Sequence, residues 1–185
     1  MNGLILVGGE SSRLGFDKMT ILRDNIPIYQ WWVNNLKSFC SNVFISCNDQ
    51  LQKKYQLQSC ILDTTPNTGP LGGIVSFINK DSSLPIFVTA VDLCYVQLED
   101  IENIFNSRNS EKFSTAYLTG LNIFPLFTIL EKKIFPKLIE EYQTERKSLK
   151  IVLQSYPVEI LTKEINLNGI NTKEEYLNYL NKNQD

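Results

Sequence analysis

The chain has 185 residues, long enough for one domain with a sizeable core and short for two. Hydrophobic residues make up 43% and charged residues 21%, the ordinary range for a globular protein, and 18 basic against 20 acidic residues leave a net charge of −2, with no basic excess to meet DNA or RNA. Histidine is absent, which removes Ser-His-Asp and Cys-His mechanisms and His-bearing metal sites; any chemistry must use carboxylates, Lys, Arg, backbone amides or a metal held by oxygen.

Leu4 to Val7 is an unalternating apolar run, which predicts a strand buried on both faces of a parallel sheet. It is too short for a signal h-region and has no basic n-region, and no apolar run approaches the ~18 residues that span a bilayer, so a cytoplasmic protein without membrane contact is expected. A loop from Gly8 to Lys18 follows. Ile28, Trp31, Trp32, Asn35, Leu36 and Phe39 fall at helical spacing behind Pro27, and the two tryptophans read as core. Val43–Ile45 and Cys60–Leu62 predict strands around a short helix at Leu51–Tyr55. Thr64 to Gly73 reads as a loop, Leu71 to Ile78 as a helix, Ile86–Val88 as a strand ending at Val91-Asp92, and Leu98 to Phe105 as a helix. Beyond it, Phe113–Tyr117 and Phe124–Ile129 predict strands. Helices follow around Ile134–Tyr142 and Leu149–Leu153, then an edge strand at Val158–Leu161 and a terminal helix at Lys173–Leu180. Alternating strands and helices give an α/β class with a mainly parallel sheet. Cys40, Cys47, Cys60 and Cys94 stand singly in apolar surroundings and predict reduced core thiols.

The strongest local signal is Leu6-Val7-Gly8-Gly9-Glu10-Ser11-Ser12-Arg13-Leu14-Gly15-Phe16-Asp17-Lys18. Glycines after a first strand let backbone approach a phosphate, Arg13 can fork onto phosphate oxygens, and Lys18 supplies a point charge. Neither the G-x-G-x-x-G dinucleotide fingerprint nor the G-x-x-x-x-G-K-[ST] loop is present. The competing reading is a Gly/Ser loop carrying two solvated cations.

This segment resembles the L-A-G-G-x-S-x-R-M-G-x-D-K signature of nucleotidyltransferases that activate small phosphorylated compounds, most closely the molybdenum cofactor guanylyltransferases, with Val7 and Leu14 in place of Ala and Met. Thr68-Gly69-Pro70-Leu71-Gly72-Gly73-Ile74, Val91-Asp92, Phe124-Pro125-Leu126-Phe127 and Asn171-Thr172-Lys173-Glu174-Glu175-Tyr176 match further family segments in order. The resemblance implies a single-domain, Rossmann-like, three-layer αβα fold over residues 1–185, with a nucleotide half at roughly 1–105 and an acceptor half at 106–185. It implies transfer of GMP from GTP to the phosphate of molybdopterin. Molybdenum insertion proteins and apo-molybdoenzymes would be the protein partners.

The roles it implies are these. Asp92, at the carboxyl end of a buried strand, holds Mg²⁺, which takes one or two carboxylates together with substrate phosphates; the other reading is an N-cap. Lys18 and Arg13 offset the triphosphate charge as catalytic residues, and Arg13 also reaches the acceptor. Leu6, Val7, Gly8 and Gly9 line the nucleotide. Asp63 holds base or ribose, or else opens an Asx turn. Gly69, with Gly72 and Gly73, brings backbone to the base, or else packs a helix end on the sheet. Asn171 contacts the acceptor, or else it or Thr172 caps the last helix, since Thr172 to Glu175 reads as a capping box. Two positions depart from the family: Ser46 stands where an Asn often meets guanine, with Asn48 two residues on, and Gly169 stands where a second Asn is common, with Asn168 adjacent. A hydroxyl cannot supply both functions of an amide. A cytidylyl-, sugar-phosphate or alditol-phosphate transferase and a non-catalytic nucleotide-binding module are therefore the alternatives.

Overall fold

A computed structural model of the chain describes residues 1–8, 14–63, 68–144 and 147–182. The first half alternates: β1 (Asn2–Leu6), a short hairpin of β2 (Leu22–Arg23) and β3 (Ile26–Pro27), α1 (Ile28–Leu36), β4 (Asn42–Cys47), α2 (Asp49–Tyr55), β5 (Cys60–Leu62), α3 (Gly69–Lys80) and β6 (Ile86–Ala90). The second half holds α4 (Leu98–Asn106), β7 (Ser114–Thr119), β8 (Asn122–Leu130), α5 (Phe135–Tyr142), α6 (Leu149–Ser155), β9 (Val158–Leu161) and α7 (Lys173–Lys182).

Seven strands form one sheet in the order β5-β4-β1-β6-β8-β7-β9. Among them only β8 runs against the rest, pairing antiparallel with both β6 and β7. Chain order runs outward from β1 toward β5 on one side and toward β6 on the other, so the connections diverge between β1 and β6. Such a switch point opens a crevice at the carboxyl ends of the strands.

Side chains alternate along β1. Leu4 and Leu6 face a layer made by α3, α5 and α6, whereas Ile5 and Val7 face a layer with α1, α4 and Tyr179 of α7. The three-layer αβα arrangement follows, and it explains why β1 reads as a continuous apolar run. No described helix is long and apolar enough to cross a membrane. The four cysteines are free thiols, and burial pushes those of Cys40, Cys47 and Cys94 up to about 12, which keeps them protonated at neutral pH.

Two elements differ from the sequence reading. The β2–β3 hairpin was not anticipated, because strands of two residues carry no periodicity. Its turn, Asp24-Asn25, has φ of 51° and 64°, the left-handed region that these two residue types tolerate and that a tight hairpin requires. Helix α3 begins at Gly69, two residues before the predicted Leu71, since Pro70 sits in the first turn, where its missing N–H costs nothing.

Trp32 is fully buried, edge-on to Trp31 at 5.2 Å and 6.2 Å from Phe127, and its Nε1 has no hydrogen-bond partner among the described residues. Trp32→Phe removes that stranded donor while keeping most of the ring. It is expected to cost less than about 1.5 kcal/mol in denaturant unfolding, whereas Trp32→Ala costs about 3–5 kcal/mol. Equal losses in the two variants would contradict this account of the position.

Candidate active site

The carboxyl ends of β1, β4, β5 and β6 finish together. The ladder continues past them through Val7 N to Ser46 O (2.8 Å), Val91 N to Leu6 O (3.1 Å) and Asp63 N to Cys47 O (3.0 Å). Leu6, Val7, Gly8, Ser46, Asp63 and Asp92 are therefore brought to one edge. Gly8 faces open space, with no described atom within 4 Å of where a Cβ would sit, so its backbone is accessible to a ligand.

At the switch point Lys18 Nζ donates to Asp92 Oδ2 at 2.7 Å and to Asn171 Oδ1 at 2.5 Å. Three residues 74 and 79 positions apart in sequence thus meet through one ammonium. The Lys18 and Asp92 side chains are 16% and 17% exposed, withdrawn from bulk water yet reachable from it. Lys18 opens a 3-10 turn, Lys18–Thr20, whose Met19 is fully buried. On its other side Asp17 accepts from Lys54 Nζ (2.7 Å) and Tyr55 OH (2.6 Å), which fastens the turn to α2; these two bonds hold the Asp17 carboxyl below the usual carboxylate range.

Asp92 is not the cap of α4. That helix begins at Leu98, where the Gln97 amide donates to Asp100 Oδ2 at 2.9 Å. Instead the Asp92 carbonyl accepts from Cys94 N (2.9 Å) and Ile170 N (3.2 Å). The latter bond brings Gly169 so close that a Cβ there would stand 3.0 Å from Asp92 Cγ. Gly169, which the sequence shows only as a departure from the family pattern, permits this approach of the C-terminal segment.

Thr172 takes the capping role that the sequence left open between it and Asn171. Glu175 Oε2 accepts from the amides of Asn171 (2.7 Å) and Thr172 (2.9 Å), and Thr172 Oγ1 accepts from Glu175 N (3.2 Å), closing the capping box of α7. The two backbone bonds lower the Glu175 carboxyl below its ordinary value. Asn171 Nδ2 donates to Gly169 O at 3.1 Å, so the side chain is aimed with its carbonyl on Lys18.

On the nucleotide side the glycines of α3 pack tightly. A Cβ at Gly73 would run into Ser46 Oγ, and one at Gly72 into Thr68 Oγ1 with Asp63 Oδ2 at 3.1 Å. Gly69 opens the helix with φ of +63°, a conformation favouring glycine. Asn48 is the N-cap of α2, its Oδ1 accepting from Leu51 N at 2.8 Å, so its carbonyl is engaged. Val7, Gly8, Lys18, Asn48, Lys54 and Val91 line a cleft of about 150 Å³. A larger hollow of about 530 Å³ lies between α1 and the α2–β5 connection and contains none of the predicted site residues, whereas Lys18 stands in the wall of the smaller cleft. Gly9 and Arg13 lie outside the described residues, as does any Asx turn following Asp63.

Asp92 fits a hard divalent cation shared with substrate. It is an oxygen donor at a crevice edge, and its Oδ1 accepts no hydrogen bond from a described residue. A single protein carboxylate suits Mg²⁺, which typically takes one or two carboxylates together with substrate phosphates and water.

Residues 3–160 match the MobA-like NTP transferase domain. The chain belongs to this nucleotidyltransferase family. It is 28% identical over 185 residues to a probable molybdenum cofactor guanylyltransferase of Carboxydothermus hydrogenoformans, covering 98% of this chain and 90% of that protein. It is 26% identical over 142 residues to a molybdenum cofactor biosynthesis bifunctional protein of Synechocystis, covering 73% of this chain but only 41% of that longer relative. The crystal structure of molybdopterin-guanine dinucleotide biosynthesis protein A from Archaeoglobus fulgidus shares the fold at a TM-score of 0.77 and 18% identity, over 96% of each chain.

Within this family fold, Lys18→Ala removes a charged donor from the crevice. It is expected to weaken nucleoside triphosphate binding by about tenfold or more in calorimetry, the scale of a hydrogen bond to a charged group. Unchanged affinity would make Lys18 a bystander.

Proposed function

We propose that this chain is a molybdenum cofactor guanylyltransferase that transfers GMP from GTP to the terminal phosphate of molybdopterin, giving the guanine dinucleotide and pyrophosphate. The observation that carries the reading is the meeting of Lys18, Asp92 and Asn171 at the β1–β6 switch point. Family membership and relatives bearing that name over nearly the whole chain support it.

An oxygen of the acceptor phosphate attacks the α-phosphorus of GTP. The new P–O bond forms as the bond from the α-phosphorus to the bridging oxygen breaks, and the electron pair leaves with pyrophosphate. A phosphate monoester has its second pKa near ~6, so at neutral pH the attacking oxygen is already largely ionised and needs no histidine as base. What the protein must supply is positioning and fixed positive charge. Lys18 exchanges part of its bonding from Asp92 and Asn171 to phosphate oxygens. Asn171 orients Lys18 and meets the acceptor. Arg13, assigned by its motif position, adds a second cation. Asp92 would hold Mg²⁺, which when bound neutralises phosphoryl oxygens. Residues 1–105 serve the nucleotide, through Leu6, Val7, Gly8, Gly9, Ser46, Asn48, Asp63 and Gly69, and residues 106–185 the acceptor. A cytoplasmic setting, with molybdenum insertion proteins and apo-molybdoenzymes as partners, belongs to the same proposal.

One observation favours a second reading, a related transferase selecting another base. Ser46 is buried with its hydroxyl against Gly73, and Asn48 spends its carbonyl on the α2 cap, so neither presents a whole amide to guanine. Calorimetric binding of GTP, CTP, UTP and ATP with Mg²⁺, with and without molybdopterin, separates the two. Preference for GTP of tenfold or more, about 1.4 kcal/mol, is the expected result. Preference for CTP or another base supports the second reading, and no binding under either condition overturns both.

A further inference from the structure

Arg23 stands five positions after Lys18, in the hairpin between the Lys18 turn and α1, and no role in the chemistry above falls to it. Its side chain is only 10% exposed. The guanidinium lies 3.6 Å from the centre of the Trp31 ring. Nη1 donates to the carbonyls of Val96 (2.5 Å) and Cys94 (3.2 Å), and Nη2 to Gln97 Oε1 (3.2 Å). The nearest carboxylate, Asp24, is 3.9 Å from Nε and is itself held by Trp31 Nε1 at 3.1 Å.

A withdrawn guanidinium spent on backbone carbonyls has to be explained by what those carbonyls belong to. They lie in the segment 93–97, which follows Asp92 directly and has no helix or strand ladder of its own. Its path depends on the groups that grip it. At one end the Lys18–Asp92 bond joins this segment to the Lys18 turn; at the other, Arg23 joins it to the hairpin that continues from that turn, through the fully buried Ile21. The two segments are thus tied at both ends into a closed frame. A lysine could not replace the arginine, because one ammonium on a flexible stem cannot fork across two carbonyls and a side-chain amide while stacking flat on an indole.

We propose that Arg23 is a positioning residue for the Lys18–Asp92 pair, fixing the segment that carries Asp92 relative to the turn that carries Lys18 through the Cys94 and Val96 carbonyls. The proposal rests on the nucleotidyl-transfer reading of the site. Arg23 touches neither Lys18 nor Asp92, so its effect falls on the geometry of the chemical step rather than on capture of the nucleotide.

The test is steady-state kinetics of Arg23→Lys together with hydrogen exchange at the Cys94 and Ile170 amides, both of which donate to the Asp92 carbonyl. The expected result is a kcat lowered on the order of ten- to hundredfold, nucleotide KM within about threefold of the parent, and faster exchange at the two amides. A merely structural role would lower thermal stability and leave kcat per folded molecule unchanged, and that outcome overturns the proposal. A raised KM with unchanged kcat overturns it too, by placing Arg23 in nucleotide binding. If the parent protein turns over no nucleotide, the transferase reading fails and exchange alone decides: unchanged exchange in Arg23→Lys overturns the frame, and faster exchange upholds it. Should Arg23→Lys not fold, Gln97→Ala removes one acceptor of the same fork together with the Gln97 bond to the Tyr95 carbonyl and its part in the α4 capping box, and is expected to lower kcat about threefold with faster exchange at the Cys94 and Ile170 amides; no change in kcat overturns the proposal.

Discussion

The ion pair between Lys18 and Asp92 spans the switch point between β1 and β6, and much of the site is arranged around it. A partly exposed ion pair adds little to stability, because desolvation of both charges offsets most of their attraction. What it does is hold a cation and a carboxylate, each largely withdrawn from bulk water, side by side at the carboxyl end of the sheet. Asn171 extends the pair toward the second half of the chain, so that one ammonium reports on both halves at once.

Close backbone approach makes this possible at three places. Gly169 lets the C-terminal segment lie against the Asp92 carboxylate, while Gly72 and Gly73 let the first turn of α3 lie against Asp63 and Ser46. The antiparallel β8 fills the sheet beyond β6 and pairs with it only as far as Thr89, so the strand end carrying Asp92 is left beyond the last pair. The chain around Lys18 is fastened to separate elements: Asp17 bonds to α2 before it, Arg23 bonds to the 93–97 segment after it, and the Phe16 ring lies edge-on to Tyr176 of α7 at 5.0 Å. Rigid support of this kind is what a transfer reaction without a histidine base relies on, since its catalysis is positioning and fixed charge.

Much of this was legible in the sequence. The continuous apolar runs of β1 and β6 announced a doubly covered sheet, and Asp92 was expected at the carboxyl end of a buried strand, where it lies just past β6. Thr172 to Glu175 was readable as a capping box because that motif is local. The illegible parts are those set by long-range contact. Asn171 gives its backbone amide to Glu175 and its side-chain carbonyl to Lys18, a division that no local pattern encodes. Asn48 looked like a base contact and also caps α2. Gly169 and Arg23 carry no local signal, because their meaning comes from residues more than seventy positions away, and Asp17 sat in the quoted motif without a role until α2 was placed beside it.

The most direct measurement is turnover of Asp92→Asn, a nearly isosteric change that keeps the bond geometry around Lys18 but removes the charge a divalent cation needs. The account predicts formation of pyrophosphate reduced at least about a thousandfold, an effect of about 4 kcal/mol on the barrier, with the circular dichroism spectrum and unfolding transition close to those of the parent. Turnover at the parent rate in that variant would remove Asp92 from the chemistry and contradict the assignment of the active site to the β1–β6 switch point.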